Sequence, residues 1–175
     1  MTKNSKEIFC FVLGDSHIGD VAERLAIKLR ASLRTIGYVK PNEGLSEVWN
    51  LSKNDVVLLC GGTLDVAKNY TSKGLSSVLQ FVTNTEHTNV IMIDAPHRFD
   101  LEASSCVHKE INAPNRKLNK IIEPYEHTSQ SHLNMDREHF TRYGMHMNGS
   151  GKDRISGILL VTSRIMELLI TWGLP

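Results

Sequence analysis

Runs of consecutive apolar residues alternate along this chain with segments of mixed character. The three strongest runs lie within residues 8–13, 55–60 and 89–94. Each run stops at turn-forming residues, which are Gly14-Asp15-Ser16, Gly61-Gly62-Thr63 and Ala95-Pro96. Apolar runs of this length, bounded by Gly or Pro, predict strands that are buried on both faces. The first strand is expected to end at about Leu13.

Between these runs, apolar residues recur with the spacing of one helix face. Apolar residues spaced for one helix face are Val21, Leu25, Leu29, Leu33 and Ile36, with Gly37 as the predicted stop. Further helices are predicted over 45–51, 68–81 and 109–122, the last with Pro114 at a kink or in its first turn. Short strands are predicted at 38–40 and 125–129, a loop at 131–142, and a long helix over 155–172.

Strands that alternate with helices predict a parallel sheet covered on both faces. We therefore expect a three-layer α/β/α fold with a mainly parallel sheet of about five strands. The 175 residues contain no repeat and no low-complexity linker, which predicts a single domain over residues 1–175.

Composition adds few constraints. The chain is 41% apolar and 22% charged with a net charge of +1, so no global field favours nucleic acid. The first residues do not resemble a signal peptide and no apolar run has the length of a membrane span, which predicts a cytoplasmic protein without membrane contact. Cys10, Cys60 and Cys106 have no metal-like spacing, and the first two are expected to be buried hydrophobes.

Two residues are candidates for nucleophilic catalysis. Ser16 follows the first strand at the edge where open α/β sheets place their sites, and a serine there is a nucleophile if a base reaches it. The alternative is that its hydroxyl caps the next helix. His146, in Gly144-Met145-His146-Met147-Asn148, is the candidate base, although it can equally be an ordinary partly buried histidine.

These motifs, taken in order, resemble a known family. Gly14-Asp15-Ser16, Gly44, Gly61-Gly62-Thr63-Leu64-Asp65 and the His146 segment look like the successive blocks of the SGNH (GDSL) hydrolases. The resemblance covers nearly the whole chain. The tail from Phe140 to Lys152 looks closest to the esterase-like domains of insect sequences and of non-LTR retrotransposon first-reading-frame proteins.

The resemblance implies a role for each matching residue. Ser16 would be the nucleophile and His146 the base that takes its proton. The oxyanion would be bound by the N–H groups of Ser16 and Gly44, and by a side chain of the third block, where this chain has Thr63 and Leu64. The supporting residues implied around these groups are Asp15, His17, Gly62, Asp65 and Tyr143.

Two of these positions depart from the family pattern. Leu64 stands where the family has an asparagine donor, and Tyr143 stands where it has the aspartate that orients the histidine. Loss of one oxyanion donor costs roughly 100- to 1000-fold in rate. The residues that could compensate are Thr63, Asn69 or His17 as donors, and Asp136, Glu138, Asp65 or a backbone carbonyl as the group that orients His146. The other interpretation is a site that has decayed.

The predicted function is hydrolysis of a carboxylic ester with a short acyl group, with no metal and no cofactor. The alternative is a catalytically degenerate binding module for RNA or protein, with basic stretches at 109–120 and 137–152 as its contact surface. A third alternative is an interaction module formed by the C-terminal helix with Trp172. The remaining histidines, such as His127, His132 and His139, lack metal-ligand spacing.

Overall fold

The structure is a computed structural model that describes residues 8–14, 18–29, 33–39, 55–60, 70–85, 89–102 and 104–172. Its strands are β1 (Ile8–Gly14), β2 (Leu33–Val39), β3 (Val56–Cys60), β4 (Asn89–Ile93) and β5 (Thr128–Ser131). Its helices are α1 (Val21–Leu29), α2 (Thr71–Asn84), α3 (Cys106–Ile122) and α4 (Gly149–Trp172). A 3-10 turn (Arg137–His139) precedes α4.

The described strands form one parallel sheet in the order β2-β1-β3-β4-β5. This confirms the predicted α/β fold with a mainly parallel sheet of about five strands. The register aligns the last residues of four strands, because Gly14 pairs with Cys60, Cys60 with Ile93, and Ile93 with Ser131. We call Gly14, Cys60, Ile93 and Ser131 the strand-end row.

Alternate residues of each buried strand face opposite layers of helices. On one side, Leu58 and Ile91 pack in a cluster with residues of α1 and α4 such as Leu25 and Ile155. On the other side, Leu59 and Val90 join residues of α2 and α3 such as Phe81 and Leu118. Because both faces are covered, the strands read in sequence as continuous apolar runs.

The helix predicted from Val21 to Ile36 is wrong over residues 33–36, whereas residues 38 and 39 of the strand predicted at 38–40 do lie in β2. Residues 33–39 form β2, which pairs with β1 along seven residues from Ile8↔Leu33 to Gly14↔Val39. Hydrogen bonds to β1 are non-local, so they override a spacing of four that also fits a helix. Gly37 is not a helix stop: a Cβ on it would lie 2.6 Å from the Cβ of Ala22. Its lack of a side chain lets α1 pack closely on β2.

Other elements are shifted from their predicted bounds. β5 begins three residues later than predicted and ends at Ser131. Helix α3 starts at Cys106, so Pro114 lies in its interior rather than in its first turn. The predicted loop over 131–142 contains the 3-10 turn. The helix predicted over 45–51 lies outside the described residues. Within the part of the chain that the structure covers, no helix is both long and apolar enough to cross a bilayer.

Candidate active site

The strand-end row forms the edge of the sheet at which the candidate nucleophile was predicted. β1 ends at Gly14, one residue after the predicted Leu13. A Cβ on Gly14 would lie 2.0 Å from the carbonyl oxygen of Cys60, so only glycine fits where β1 leaves the sheet beside β3. Ser16 follows two residues later in the chain. The predicted site residues that lie outside the described residues are Asp15, Ser16, His17, Gly44, Gly62, Thr63, Leu64, Asp65 and Asn69.

His146 lies in a tight hairpin between the 3-10 turn and α4. An antiparallel bridge joins Phe140 to Met147, and the Thr141 N–H donates to the His146 carbonyl oxygen at 2.8 Å. The turn is closed by the Gly144 N–H, which donates to the Thr141 carbonyl at 2.8 Å. Phe140 and Met147 are buried while His146 is exposed. The hairpin, which we define as residues 140–147, therefore presents the imidazole on its outer surface.

The hairpin is docked on the segment that follows β4. The Phe99 N–H donates to the Gly144 carbonyl at 2.9 Å, and the rings of Phe99 and Phe140 have centroids 4.8 Å apart. Gly144 has a φ of +75°, and a Cβ there would lie 2.4 Å from the carbonyl carbon of Phe99. Close backbone approach and a left-handed conformation both require glycine at this position.

Asn148 connects the hairpin to the start of α4. Its side-chain amide donates to the carbonyls of Glu138 and Phe140 at 2.7 and 2.9 Å, and its Oδ1 accepts from the Gly151 N–H at 3.0 Å. The last bond is an N-cap, which satisfies a donor that the first turn of a helix leaves unpaired. One side chain thus fixes both the helix start and the base of the hairpin.

Arg137 holds the other end of the hairpin. Its guanidinium donates to the carbonyl oxygens of Thr141 and Arg142 at 2.8 and 2.6 Å. Tyr143, the next residue, is 76% exposed, and the Arg142 guanidinium lies 5.7 Å from the centre of its ring. The phenol at the position where the SGNH resemblance predicts an orienting aspartate therefore lies at the surface of the turn.

Two of the carboxylates predicted as substitutes for that aspartate, Asp136 and Glu138, lie beside another histidine. Asp136 is the residue that caps the start of the 3-10 turn, and its N–H donates to His139 Nδ1 at 3.0 Å, while Glu138 lies 4.0 Å from His139 Nε2. The ligand atoms of these three residues lie within 4.8 Å of one another, as in a metal site. Since Nδ1 accepts a hydrogen bond, the neutral ring carries its proton on Nε2 and has no lone pair for a metal ion.

A second pair of titratable residues, which no sequence motif links, lies directly after the strand-end row. Asp94 follows β4 and His132 follows β5, and His132 Nδ1 donates to Asp94 Oδ2 at 2.8 Å. The Gln130 amide donates to the other oxygen of Asp94. Both residues come directly after strands, which is a signal present in the sequence. The position of His132 at a strand end was missed because β5 was predicted to end at Ser129, whereas it ends at Ser131.

Asn115 of α3 fixes the chain next to this pair. Its Oδ1 accepts from the Ala95 N–H at 3.1 Å and its Nδ2 donates to the Ala95 carbonyl at 3.2 Å. Its own carbonyl accepts from the Gln130 amide at 3.2 Å. The segment after β4 is thereby held to both α3 and β5.

Arg98 and Asp100 form an ion pair in the same segment, with side chains only 14% and 21% exposed. Arg98 Nε donates to Asp100 Oδ1 at 3.0 Å, and a second guanidinium nitrogen donates to Oδ2. These hydrogen bonds raise the pKa of the Arg98 guanidinium above its ordinary value, against the opposing effect of burial. The pair stiffens the segment on either side of Phe99.

Solved structures of other proteins share the fold of this chain. No family model and no curated protein matches the sequence. Among solved structures, the lipase/acylhydrolase from Enterococcus faecalis has a TM-score of 0.64 at 12% identity, covering 89% of this chain and 94% of that one. A GDSL-like lipase from Bacteroides thetaiotaomicron has a TM-score of 0.66 at 11% identity, covering 89% and 87%. The Clostridium thermocellum family 3 carbohydrate esterase has a TM-score of 0.64 at 15% identity, covering 94% and 99%.

The chain therefore has the α/β fold of these GDSL-like lipases and esterases. Identities of 11–15% are shared along almost the full length of both chains, so the likeness is one of fold. The closer relationship to insect and retrotransposon domains stays a prediction.

Proposed function

We propose that this protein is a serine esterase that hydrolyses a small carboxylic ester. Ser16 Oγ attacks the ester carbonyl carbon while His146 takes the hydroxyl proton. The alcohol then leaves with that proton, and a water molecule, deprotonated by the same histidine, releases the acid and frees Ser16. The N–H groups of Ser16 and Gly44 would bind the oxyanion of both tetrahedral intermediates.

The strongest support is that the Gly-Asp-Ser motif comes at the end of the first strand of a fold that GDSL-like lipases also have. The Gly-Asp-Ser motif begins at the last residue of β1, an inner strand of a sheet that GDSL-like lipases share. Parallel α/β sheets bind ligands at the carboxyl ends of their strands. The hairpin supports the proposal further, because it presents an exposed His146 from a backbone that Gly144, Asn148 and Arg137 hold in place.

The test is labelling with a fluorophosphonate together with hydrolysis of p-nitrophenyl acetate. The parent should form a covalent adduct and release p-nitrophenol, and both Ser16→Ala and His146→Ala should lower the turnover at least 100-fold. Ser77→Ala is the matched control, since Ser77 is exposed on α2 and its hydroxyl donates to the Lys73 carbonyl one turn earlier. Equal labelling of the parent and Ser16→Ala would refute the serine mechanism.

A second candidate is a binding module for RNA on the same fold. Arg116, Lys117 and Lys120 are exposed on α3, and among the described residues none of them forms an ion pair. RNA contacts through these side chains would release counterions, so affinity should fall steeply with salt. The double variant Arg116→Glu, Lys117→Glu should then weaken binding while Ser16→Ala leaves it unchanged. Absence of binding at low ionic strength would exclude this function.

A further inference from the structure

Asp94 and His132 form an oriented carboxylate–imidazole pair outside the proposed Ser16–His146 machinery. The Asp94 side chain is 13% exposed, whereas that of His132 is 77% exposed. Both oxygens of the carboxylate are used, one by His132 Nδ1–H and one by the Gln130 amide. Because a carboxylate only accepts hydrogen bonds, the proton between the two rests on Nδ1. Nε2 of the neutral ring therefore carries a lone pair.

This arrangement is a poor way to gain stability. An ion pair with one largely exposed partner contributes about 0–1 kcal/mol, while burial of a carboxylate is unfavourable unless hydrogen bonds compensate it. The Gln130 amide nevertheless holds the Asp94 carboxylate, and Asn115 holds that amide through its carbonyl and the adjacent Ala95 N–H through its side chain, so the carboxylate and the ring bound to it are fixed. A hydrogen bond to one ring nitrogen sets the tautomer and so determines what the other nitrogen offers to a ligand.

The register places this pair on the edge where the proposed reaction occurs. Asp94 and His132 come directly after Ile93 and Ser131 of the strand-end row, and Asp15-Ser16 follows Gly14 of the same row. Three intervals of about 4.8 Å separate β1 from β5, so the row spans about 14 Å. A ligand extended along this edge from the end of β1 would reach His132 only if it were longer than a simple acetate ester.

We propose that His132, oriented by Asp94, is a specificity-determining residue that binds a hydroxyl-rich part of the ester, such as the sugar units of an acylated oligosaccharide. The lone pair on Nε2 accepts a hydrogen bond from a neutral hydroxyl donor. An anionic group fits less well, because the Asp94 carboxylate directly behind the ring offsets the charge of an imidazolium. This inference rests on the esterase function proposed above and adds its substrate class.

The test compares two esters with the same acyl group, p-nitrophenyl acetate and mono-acetylated xylobiose. His132→Phe keeps a ring without the acceptor, and Asp94→Asn removes the carboxylate that orients it. Loss of one neutral hydrogen bond should lower kcat/KM for the sugar ester about three- to tenfold in both variants, with less than a twofold change for p-nitrophenyl acetate. His127→Phe is the control, because His127 directly precedes the same strand at its opposite end; its ring also bonds the Val82 carbonyl at 3.3 Å, so its effect is read as the ratio between the two esters, which should not change.

Several results would overturn the inference. They are an equal loss of kcat/KM on both esters, no loss of kcat/KM on either ester, or a parent that prefers an acetylated sugar acid to the neutral sugar ester.

If the parent cleaves neither ester and takes no fluorophosphonate label, the esterase function itself has failed. Xylobiose is then titrated into the parent while the imidazole signals are observed by NMR. If xylobiose shifts the His132 signal in the parent but not in Asp94→Asn, His132 binds the sugar as proposed. If the signal does not shift in the parent, the proposed binding site is excluded. Because Asp94 is buried, circular dichroism and Tm of each variant must match the parent.

Discussion

The Phe99 N–H donates to the carbonyl oxygen of Gly144 at 2.9 Å, and this bond joins the segment after β4 to the hairpin that bears His146. The two backbones approach so closely that a Cβ on residue 144 would lie 2.4 Å from a backbone carbon of Phe99. The position of the candidate base therefore depends on a glycine that has no chemical role itself.

We predict that Gly144→Ala lowers the free energy of unfolding by about 1–3 kcal/mol, because alanine is strained at a φ of +75° and overlaps Phe99. Esterase turnover should fall as well, since His146 is two residues away. Urea denaturation measures the first effect. The control is Gly157→Ala in α4, where a Cβ meets no atom within 4 Å. That variant should be unchanged or slightly more stable.

Asn115→Ala should destabilise the protein by roughly 2 kcal/mol. It removes both hydrogen bonds to the Ala95 peptide and leaves a mostly buried N–H and carbonyl without side-chain partners. Asn119→Ala, exposed one turn later on α3, is the matched control and should have little effect. If urea denaturation gave both variants the same stability, the hydrogen bonds from Asn115 to Ala95 would contribute nothing to the stability of the fold.

Burial raises the pKa of the Cys10 thiol from 9.0 to about 12. Above pH 9 the unfolded chain loses this proton while the folded chain keeps it, so stability falls as pH rises toward 12. The slope from this group is about 1.4 kcal/mol per pH unit. We expect the parent to lose more stability than Cys10→Ala between pH 9 and 11, measured by urea denaturation at each pH. Parallel curves for the two proteins would contradict the assignment.

The departures at Leu64 and Tyr143 from the SGNH pattern that the sequence resembles can be tested by reversal. We expect Leu64→Asn to raise turnover of p-nitrophenyl acetate by up to about 100-fold, because it restores a donor where charge develops in the transition state. Tyr143→Asp alone should change turnover less than twofold, since residue 143 is 76% exposed and a carboxylate there would be solvated. The double variant shows whether the two positions couple. A large gain from Tyr143→Asp would instead mean that the parent lacks a group to orient His146.

Local pattern was enough to predict the class of fold and most of its elements. The runs ending at Leu13, Cys60 and Asp94 are apolar because β1, β3 and β4 are buried on both faces, and that burial is written directly in their composition. The long C-terminal helix was also predicted from local pattern, because its apolar positions recur with helical spacing. The position of Ser16 after the first strand is likewise a property of the sequence alone.

The tertiary structure decided what depends on contacts between distant segments. The first half of β2, residues 33–36, was predicted as helix because only its pairing with β1 distinguishes it from a continuation of α1. The Asp94–His132 pair needs β4 and β5 side by side in one register, and 38 positions separate the two residues in the chain. The docking of Gly144 on Phe99 is equally invisible in a linear pattern. Spacing along the chain reports which face of an element is buried, whereas the partner across that face is set only when the whole sheet has assembled.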